Sequence, residues 1–253
     1  MEMKLHNGRF VVDDMRRYAP TPVAPPTLDT RIKLLVLVGS SRGFPFDKFL
    51  DNWRQAKLPS NVKVYYYFHT EGISEIQLLG DEIHIPGVEH PLQSHPKTMS
   101  AYKWALENEE FDVILRPGLS SAFHFPKLLE WLNKNPSTNH CFGRKLWNDF
   151  LSGCGYAITR DVVERIVRWT PPIVYEDDLV LRDFVVANGV QVIEWPLEHE
   201  ANQHNCKMVE FRDDRMTTDF HLRFKTSMKL EERAIDVDNH LKTIMFWNSQ
   251  QTT

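Results

Sequence analysis

The sequence lacks three features that mark special classes of protein: paired cysteines, long apolar runs and a large excess of charge. Its 253 residues contain three cysteines, Cys141, Cys154 and Cys206, without C-x-x-C spacing. This odd number excludes a disulfide scaffold, argues against structural zinc and favours a reducing compartment.

Apolar runs and net charge exclude two further classes of partner. The longest apolar run near the N-terminus, Leu34 to Val38, is far shorter than the ~20 residues of a membrane span, and no signal-like segment precedes it. The 30 basic and 34 acidic residues give a net charge of -4, so no global positive field attracts nucleic acid. We therefore expect a cytoplasmic protein with no membrane span and no nucleic-acid partner.

The hydrophobic content, 42% of the chain, is sufficient for one large core. Residues 1–30 contain Pro20, Pro22, Pro25 and Pro26, which keep a backbone extended, so they are expected to form a proline-rich arm. Residues 31–253 are expected to form a single domain.

Within that domain, strand-like and helix-like segments alternate. The predicted strands are 32–38, 62–69, 82–85, 111–116, 190–195 and 220–225. The predicted helices begin near Phe46 and cover 96–108, 126–134, 161–169, 177–188 and 228–247. This order predicts an α/β fold with a mostly parallel central sheet, whose ligand crevice is formed by residues 39–45, 69–73, 86–97 and 116–125.

The first predicted strand ends in Gly39-Ser40-Ser41-Arg42-Gly43, which matches the G-x-S-x-G turn of serine hydrolases. Candidate acids and histidines follow in hydrolase order: Asp177 or Asp178, then His199 or His221. That turn normally ends a central strand after much of the sheet is built, whereas here it ends the first one. A small-residue loop that admits a phosphate or a base is the favoured interpretation, and a hydrolase acting through Ser41 is the alternative.

Three later segments carry further chemistry. Gly153 and Gly155, within 150–161, allow a close backbone approach or a tight turn. The acids Glu176-Asp177-Asp178 open a predicted helix, where the helix dipole also favours them as simple caps. In 220–225, His221, Arg223 and Lys225 alternate with apolar residues, which on a strand places three donors on one face. Phosphate oxygens suit such a row, and a solvated strand face is the alternative.

Together these segments resemble GT-A type nucleotide-sugar glycosyltransferases, in layout the β1,3-galactosyltransferase and fringe group, over most of 31–225. Residues 96–106 resemble that group's "LTLKT...KW" helix, and 111–125 resemble the strand that carries its D-x-D metal motif. Residues 152–161 resemble "SGGGYVLSRD", and 176–178 resemble its "ED" or "DD" pair.

The resemblance implies an inverting transfer from a UDP-sugar to a glycan hydroxyl. It makes Asp177 the first choice for the catalytic base and Asp178 the second, since alignment by "ED" or by "DD" shifts the register by one. The nucleotide and diphosphate side is assigned to Gly39, Ser40, Ser41, Arg42, Lys97 and Arg116. The donor sugar and acceptor side is assigned to Ser120, Ser121, Gly153, Cys154, Gly155, Tyr156 and Glu176.

One departure from the family concerns the metal. In place of D-x-D the chain has Arg116-Pro117-Gly118-Leu119-Ser120-Ser121, without a carboxylate, so Mn²⁺ or Mg²⁺ loses its usual ligands. This stretch resembles the R-T-N-L-S-S-F segment of glycosyltransferases of large DNA viruses, which implies a viral protein acting in host cytoplasm. We predict that His221, Arg223 and Lys225, helped by Arg42 or Arg116, replace the metal. A catalytically inactive glycan- or nucleotide-binding module is the alternative.

Overall fold

The computed structural model describes residues 4–6, 9–11, 32–90, 93–145, 151–171, 176–195, 220–227 and 229–251. Of the predicted arm it describes two short strands that pair antiparallel, β1 (Lys4–His6) and β2 (Arg9–Val11). Cys206 and His199 lie outside the described residues. Among the described residues, no helix has the length and apolar character needed to cross a membrane.

A twisted sheet of eight described strands forms the centre of the molecule, in the order β11-β9-β10-β7-β3-β4-β6-β5. In chain order these strands are β3 (Leu34–Gly39), β4 (Val62–Thr70), β5 (Gln77–Leu79), β6 (Glu82–Pro86), β7 (Val113–Pro117), β9 (His140–Lys145), β10 (Leu151–Thr159) and β11 (Gln191–Glu194). Strand β3 pairs in parallel with β4 and β7, β4 with β6, and β11 with β9. The predicted α/β fold with a mostly parallel sheet is confirmed.

Helices cover both faces of this sheet. They are α1 (Phe46–Trp53), α2 (Ser94–Asn108), α3 (Phe125–Asn133), α4 (Arg160–Ile166), α5 (Asp177–Asn188) and α6 (Ala234–Gln250). Side chains of β3 alternate between the faces, so Leu35 and Leu37 join the core beneath α2, α4 and α5. Leu34, Val36 and Val38 join the core beneath α1 and α3.

The glycine-containing segment at 151–159 is strand β10 rather than a tight turn. It pairs antiparallel with both β7 and β9, which makes one half of the sheet mixed. Neither β9 nor β10 was predicted, because glycine is depleted in strands and a strand buried on both faces shows no alternation of polarity.

The row at 220–225 is shorter than predicted and does not join the large sheet. Strand β12 (His221–Arg223) pairs antiparallel with β8 (Ser121–Phe123) as a separate ribbon. Leu222 and Ala122 pack against Ile244 and Trp247 of α6. The final helix therefore supports the ribbon, and it begins at Ala234 rather than at residue 228.

Candidate functional site

A cavity of about 130 Å³ lies where the carboxyl end of β3 meets the start of α2 and the end of β7. Its lining residues are Gly39, Ser40, Ser41, Phe46, Tyr67, Ser94, Lys97, Thr98, Arg116 and Leu119. Typical pockets for whole small molecules measure about 300–1,000 Å³. The volume therefore suits one part of an extended ligand, such as a diphosphate.

A larger cavity of about 330 Å³ lies at the opposite edge of the sheet, where Lys33, Asn61 and Lys63 mark the amino ends of the strands. Open α/β sheets bind ligands at the carboxyl ends of their strands. The smaller cavity is therefore the candidate site.

The loop after β3 forms one wall of the cavity through Ser40 and Ser41. The last residue of β3 is Gly39, where a Cβ would lie 2.7 Å from the hydroxyl oxygen of the buried Tyr67 side chain, so glycine leaves the space that this ring occupies. Ser40 N–H then donates to the carbonyl of Tyr67 at 3.1 Å, and Gly43 adopts a left-handed φ of 89°. The loop is thus a small-residue wall of the cavity.

Lys97 brings a buried positive charge to this wall from the first turn of α2. Its Nζ donates to the carbonyl oxygen of Ser40 at 3.0 Å and forms an ion pair with Glu89. Burial lowers the pKa of Lys97, and the Glu89 carboxylate opposes that effect.

Arg116, at the end of β7, forms the second positive charge and pairs with Asp177. Its Nη2 donates to Asp177 Oδ1 at 2.9 Å. Its Nε lies 2.8 Å from Oδ2 but is too poorly aligned to donate a hydrogen bond, so that contact is ionic. Nη1 donates to the carbonyl oxygen of Gly153 at 3.1 Å. The guanidinium thus joins β7, β10 and the start of α5.

Both the carboxylate and the backbone N–H of Asp177 form hydrogen bonds in addition to the ion pair with Arg116. Thr98 and Tyr156 donate their hydroxyls to Oδ2 at 3.1 and 3.2 Å, and the backbone N–H of Asp177 donates to Ser94 Oγ at 3.1 Å. The residue is 4% exposed. Because three side chains already contact this enclosed carboxylate, an incoming hydroxyl has little room to reach it, and this geometry argues against Asp177 as first choice for the base.

Asp178 is half-buried and has a different environment. A Cβ at Gly153 would lie 2.5 Å from its Oδ2, so only glycine allows the carboxylate this close to β10. Burial, followed by the neighbouring Asp177 charge, raises the pKa of Asp178 to about 6. This value suits a group that exchanges a proton near neutral pH.

Two solved structures are similar to this chain. One is a mannosyltransferase from Pyrobaculum calidifontis in complex with GDP-Man and Mn²⁺, with 16% identity and a TM-score of 0.44. That similarity covers 71% of this chain and 59% of the mannosyltransferase, so this chain spans little more than half of that protein. The other is a glycosyltransferase involved in glycosylation of the major capsid of PBCV-1, with 12% identity, a TM-score of 0.40 and coverage of 79% and 97% of the respective chains. No protein-family model and no curated protein sequence matches the chain.

The structure brings together five of the residues assigned to the nucleotide side: Gly39, Ser40, Ser41, Lys97 and Arg116. Arg42 is not among the lining residues. Its guanidinium pairs with Glu82 and lies 4.0 Å from the centroid of the Phe68 ring. Arg42 was assigned to the nucleotide side, but in the structure its guanidinium is engaged by Glu82 and Phe68.

His221 is not part of a positively charged row. It is fully buried and stacks on Phe123 with ring centroids 4.1 Å apart. Burial, followed by the charge of Arg223, lowers the pKa of His221 to about 3, so the ring is neutral at pH 7. Of the predicted row, Arg223 and Lys225 are half-buried. Arg223 ends strand β12, which pairs with β8, and β8 directly follows Leu119 and Ser120.

Most residues assigned to the sugar and acceptor side are buried. Ser121 Oγ donates to the carbonyl oxygen of Cys154 at 2.5 Å, and both residues are completely buried. Gly155 is buried against Phe123, Tyr156 is 1% exposed, and Ser120 is 8% exposed. Cys154, Gly155 and Tyr156 belong to the interior strand β10, and Ser121 belongs to β8, so burial leaves these four residues little surface for contact with a sugar. Gly153 is half-buried and Glu176 is exposed, so both are accessible.

Sequence reasoning missed the polar residues beneath the cavity. Thr98 bridges Tyr67, whose hydroxyl lies 2.9 Å from Thr98 Oγ1, to Asp177. Ser94, Lys97 and Thr98 are three and four positions apart, which places them on one face of α2. Buried polar residues at this spacing, directly after a crevice loop, are the signal that identifies them.

The serine-hydrolase alternative requires an acid and a histidine beside Ser41, and the structure does not place the candidate residues there. Asp177 is occupied by Arg116, His221 lies in the core, and His199 lies outside the described residues. Within the described part of the chain, no histidine forms a hydrogen bond with Ser41. A nucleophilic serine requires such a base within hydrogen-bonding reach.

The side chains at the site do not fit a divalent metal ion of the D-x-D kind. The described residues contain no group of three or more His, Cys, Asp or Glu side chains arranged to hold a metal. Of the carboxylates nearby, Asp177 already binds Arg116 and Glu89 already binds Lys97, so a divalent cation would have to displace these side chains. Mg²⁺ and Mn²⁺ require several oxygen ligands, and this donor set does not supply them.

Proposed function

We propose that the protein is a glycosyltransferase that moves a sugar from a nucleoside diphosphate donor, a UDP-sugar, to a glycan hydroxyl with inversion. One arrangement carries the proposal. Lys97 and Arg116 border a cavity at the carboxyl edge of the sheet, and Asp178 lies against Gly153, whose carbonyl oxygen binds Arg116. Two fixed cations and one titratable carboxylate thus lie on neighbouring backbone segments.

The cations suit the leaving group. As the bond between the anomeric carbon and the diphosphate oxygen breaks, negative charge grows on the diphosphate. Preorganised donors in a site with little water stabilise such charge strongly. Lys97 supplies an ammonium and Arg116 a planar guanidinium, and Arg223 and Lys225 on the neighbouring ribbon are further candidates for this side.

The carboxylate suits the acceptor. The hydroxyl oxygen attacks the anomeric carbon from the face opposite the departing diphosphate, and its proton passes to Asp178. The base requires an accessible carboxylate oxygen, and Asp178 is half-buried with its pKa raised to about 6, whereas Asp177 is buried and paired with Arg116. We therefore assign proton acceptance to Asp178 and assign Asp177 to positioning Arg116.

A nucleotide-sugar panel tests the proposal by thermal shift. A specific donor at 100 times its Kd is expected to stabilise the protein by about 2.7 kcal/mol. Because the cations are fixed side chains, the shift and the subsequent release of UDP in the presence of acceptor are expected to be equal in EDTA and in Mn²⁺. Complete inhibition by EDTA that Mn²⁺ reverses contradicts the assignment of charge stabilisation to side chains. Nucleotide binding without any transfer supports the inactive binding module instead.

Lys97→Met tests the ammonium directly. Loss of one charge-assisted hydrogen bond to phosphate is expected to raise the Kd for UDP by about 10- to 100-fold, measured by isothermal titration calorimetry. Lys103→Met is the matched control, since Lys103 is an exposed lysine on the same helix, and it is expected to leave the Kd unchanged. Equal affinity in the two variants places the diphosphate elsewhere.

A further inference from the structure

Glu89 contacts two donors at the wall of the cavity, the Lys97 ammonium and the backbone N–H of His69. One carboxylate oxygen pairs with Lys97 Nζ, and the other accepts from the backbone N–H of His69 at 3.2 Å. Lys97 also donates to the Ser40 carbonyl oxygen. An ammonium has three N–H groups, so one donor remains for a ligand on the cavity side.

The two partners of this ion pair differ in burial. The Lys97 side chain is 8% exposed, whereas that of Glu89 is 33% exposed, in the exposed stretch Val88–His90. A buried ammonium without a counter-charge is strongly destabilising, so Lys97 needs an anion whenever the site is empty. Glu89 can return to water when another anion arrives, because its carboxylate is already partly hydrated.

We propose that Glu89 is an internal counter-anion that neutralises Lys97 in the empty protein, competes with the diphosphate for it, and thereby sets the affinity for nucleotide. This inference rests on the proposed function of the cavity. Carboxylate and phosphate oxygens accept from the same donors, so a ligand phosphate at Lys97 displaces the contact with Glu89. The displaced carboxylate still lies near the phosphate and repels it, which favours release of the nucleoside diphosphate product.

The variant Glu89→Gln tests whether Glu89 competes with nucleotide for Lys97 or only supports Lys97. Removing the competing charge is expected to lower the Kd for both UDP and inorganic pyrophosphate by about 5- to 10-fold, the effect of one unit charge about 4 Å away when the displaced carboxylate is surrounded by water. Glu89→Ala is expected to act in the same direction. Glu107→Gln removes the same charge from an exposed position about 15 Å along α2 and is expected to leave both constants unchanged.

A double variant shows whether the effect passes through Lys97. In the Lys97→Met background, Glu89→Gln is expected to give no gain in affinity, because the contested ammonium is gone. A gain of the same size in that background attributes the effect to general charge and overturns the proposal.

Other outcomes are equally decisive. If Glu89→Gln binds UDP and pyrophosphate no more tightly than the unaltered protein, Glu89 supports Lys97 rather than competing for it, and the proposal is wrong. Weaker binding of UDP alone makes Glu89 a contact of the nucleoside and also overturns it. If the folded, unaltered protein binds neither ligand, the proposed function of the cavity fails, and this inference fails with it.

Discussion

Replacing Asp178 with asparagine is expected to lower the rate of sugar transfer by about 10²- to 10⁴-fold while leaving UDP affinity intact. Asparagine keeps the size of the side chain but cannot accept the proton of the acceptor hydroxyl. The two measurements are steady-state release of UDP in the presence of acceptor and calorimetric titration with UDP.

The pH dependence of kcat/KM is a second test of the role of Asp178. The pKa of Asp178 is raised to about 6, so the carboxylate is protonated and inactive below that pH and ionised above it. For the unaltered protein, kcat/KM is therefore expected to increase with pH through about 6 and then to level off.

Because the folded state holds the proton more tightly than the unfolded state, ionising Asp178 also lowers the free energy of unfolding as the pH rises from the ordinary carboxyl pKa towards about 6.

Asp183→Asn is the matched control for Asp178→Asn, since it removes a carboxylate from the same helix where that group pairs locally with Arg182. It is expected to leave turnover and its pH profile unchanged. Normal turnover in Asp178→Asn, or an acid limb that persists in that variant, shows that the base lies elsewhere.

Replacing Asp177 with alanine is expected to lower the free energy of unfolding by about 3–5 kcal/mol. The substitution leaves the Arg116 guanidinium, whose side chain is 15% exposed, without its counter-charge, and it leaves the hydroxyls of Thr98 and Tyr156 without their acceptor. Urea denaturation measures the loss as a shift in midpoint.

Two further variants test whether the loss of stability comes from the unpaired charge of Arg116. Arg116→Met combined with Asp177→Ala is expected to recover part of the lost stability, since an apolar pair replaces an unpaired charge. Asp178→Ala, one residue along, is expected to change stability far less, because the raised pKa of Asp178 shows that the fold disfavours its ionised form. If Asp177→Ala is stable but inactive, Asp177 has the role assigned here to Asp178.

The architecture could be predicted from the sequence because apolar runs and helical periodicity alternate clearly between 32 and 116. Helix α1, for example, buries Phe49, Leu50 and Trp53 at the predicted spacing. Strand β10 was missed because Gly153 and Gly155 resemble turn residues, although they serve close packing against Asp178 and Phe123. Local composition does not reveal what a glycine faces across the sheet.

Several residues selected from the sequence line the cavity, but the contacts that they make were not predicted. Lys97 and Arg116 were expected near the diphosphate, and both line the cavity. The order of preference between Asp177 and Asp178 depends on which carboxylate meets Arg116, a contact between residues 61 positions apart that no local pattern encodes. His221 was misassigned because alternation on a strand does not specify which face is buried when both faces are covered.

The contacts of Asp177 have a consequence for the order in which the protein becomes functional. Two of the side chains that bind it are distant in sequence, Thr98 at 79 positions and Arg116 at 61, and Ser94 contacts its backbone from 83 positions away. Closing such long loops is entropically unfavourable and slow, so these bonds form only after most of the sheet has assembled. We therefore expect helices and strands to form before the pair of cations at the cavity. Under the proposed function, we therefore expect nucleotide binding to report completed folding, and a ligand present during refolding to stabilise only the final product.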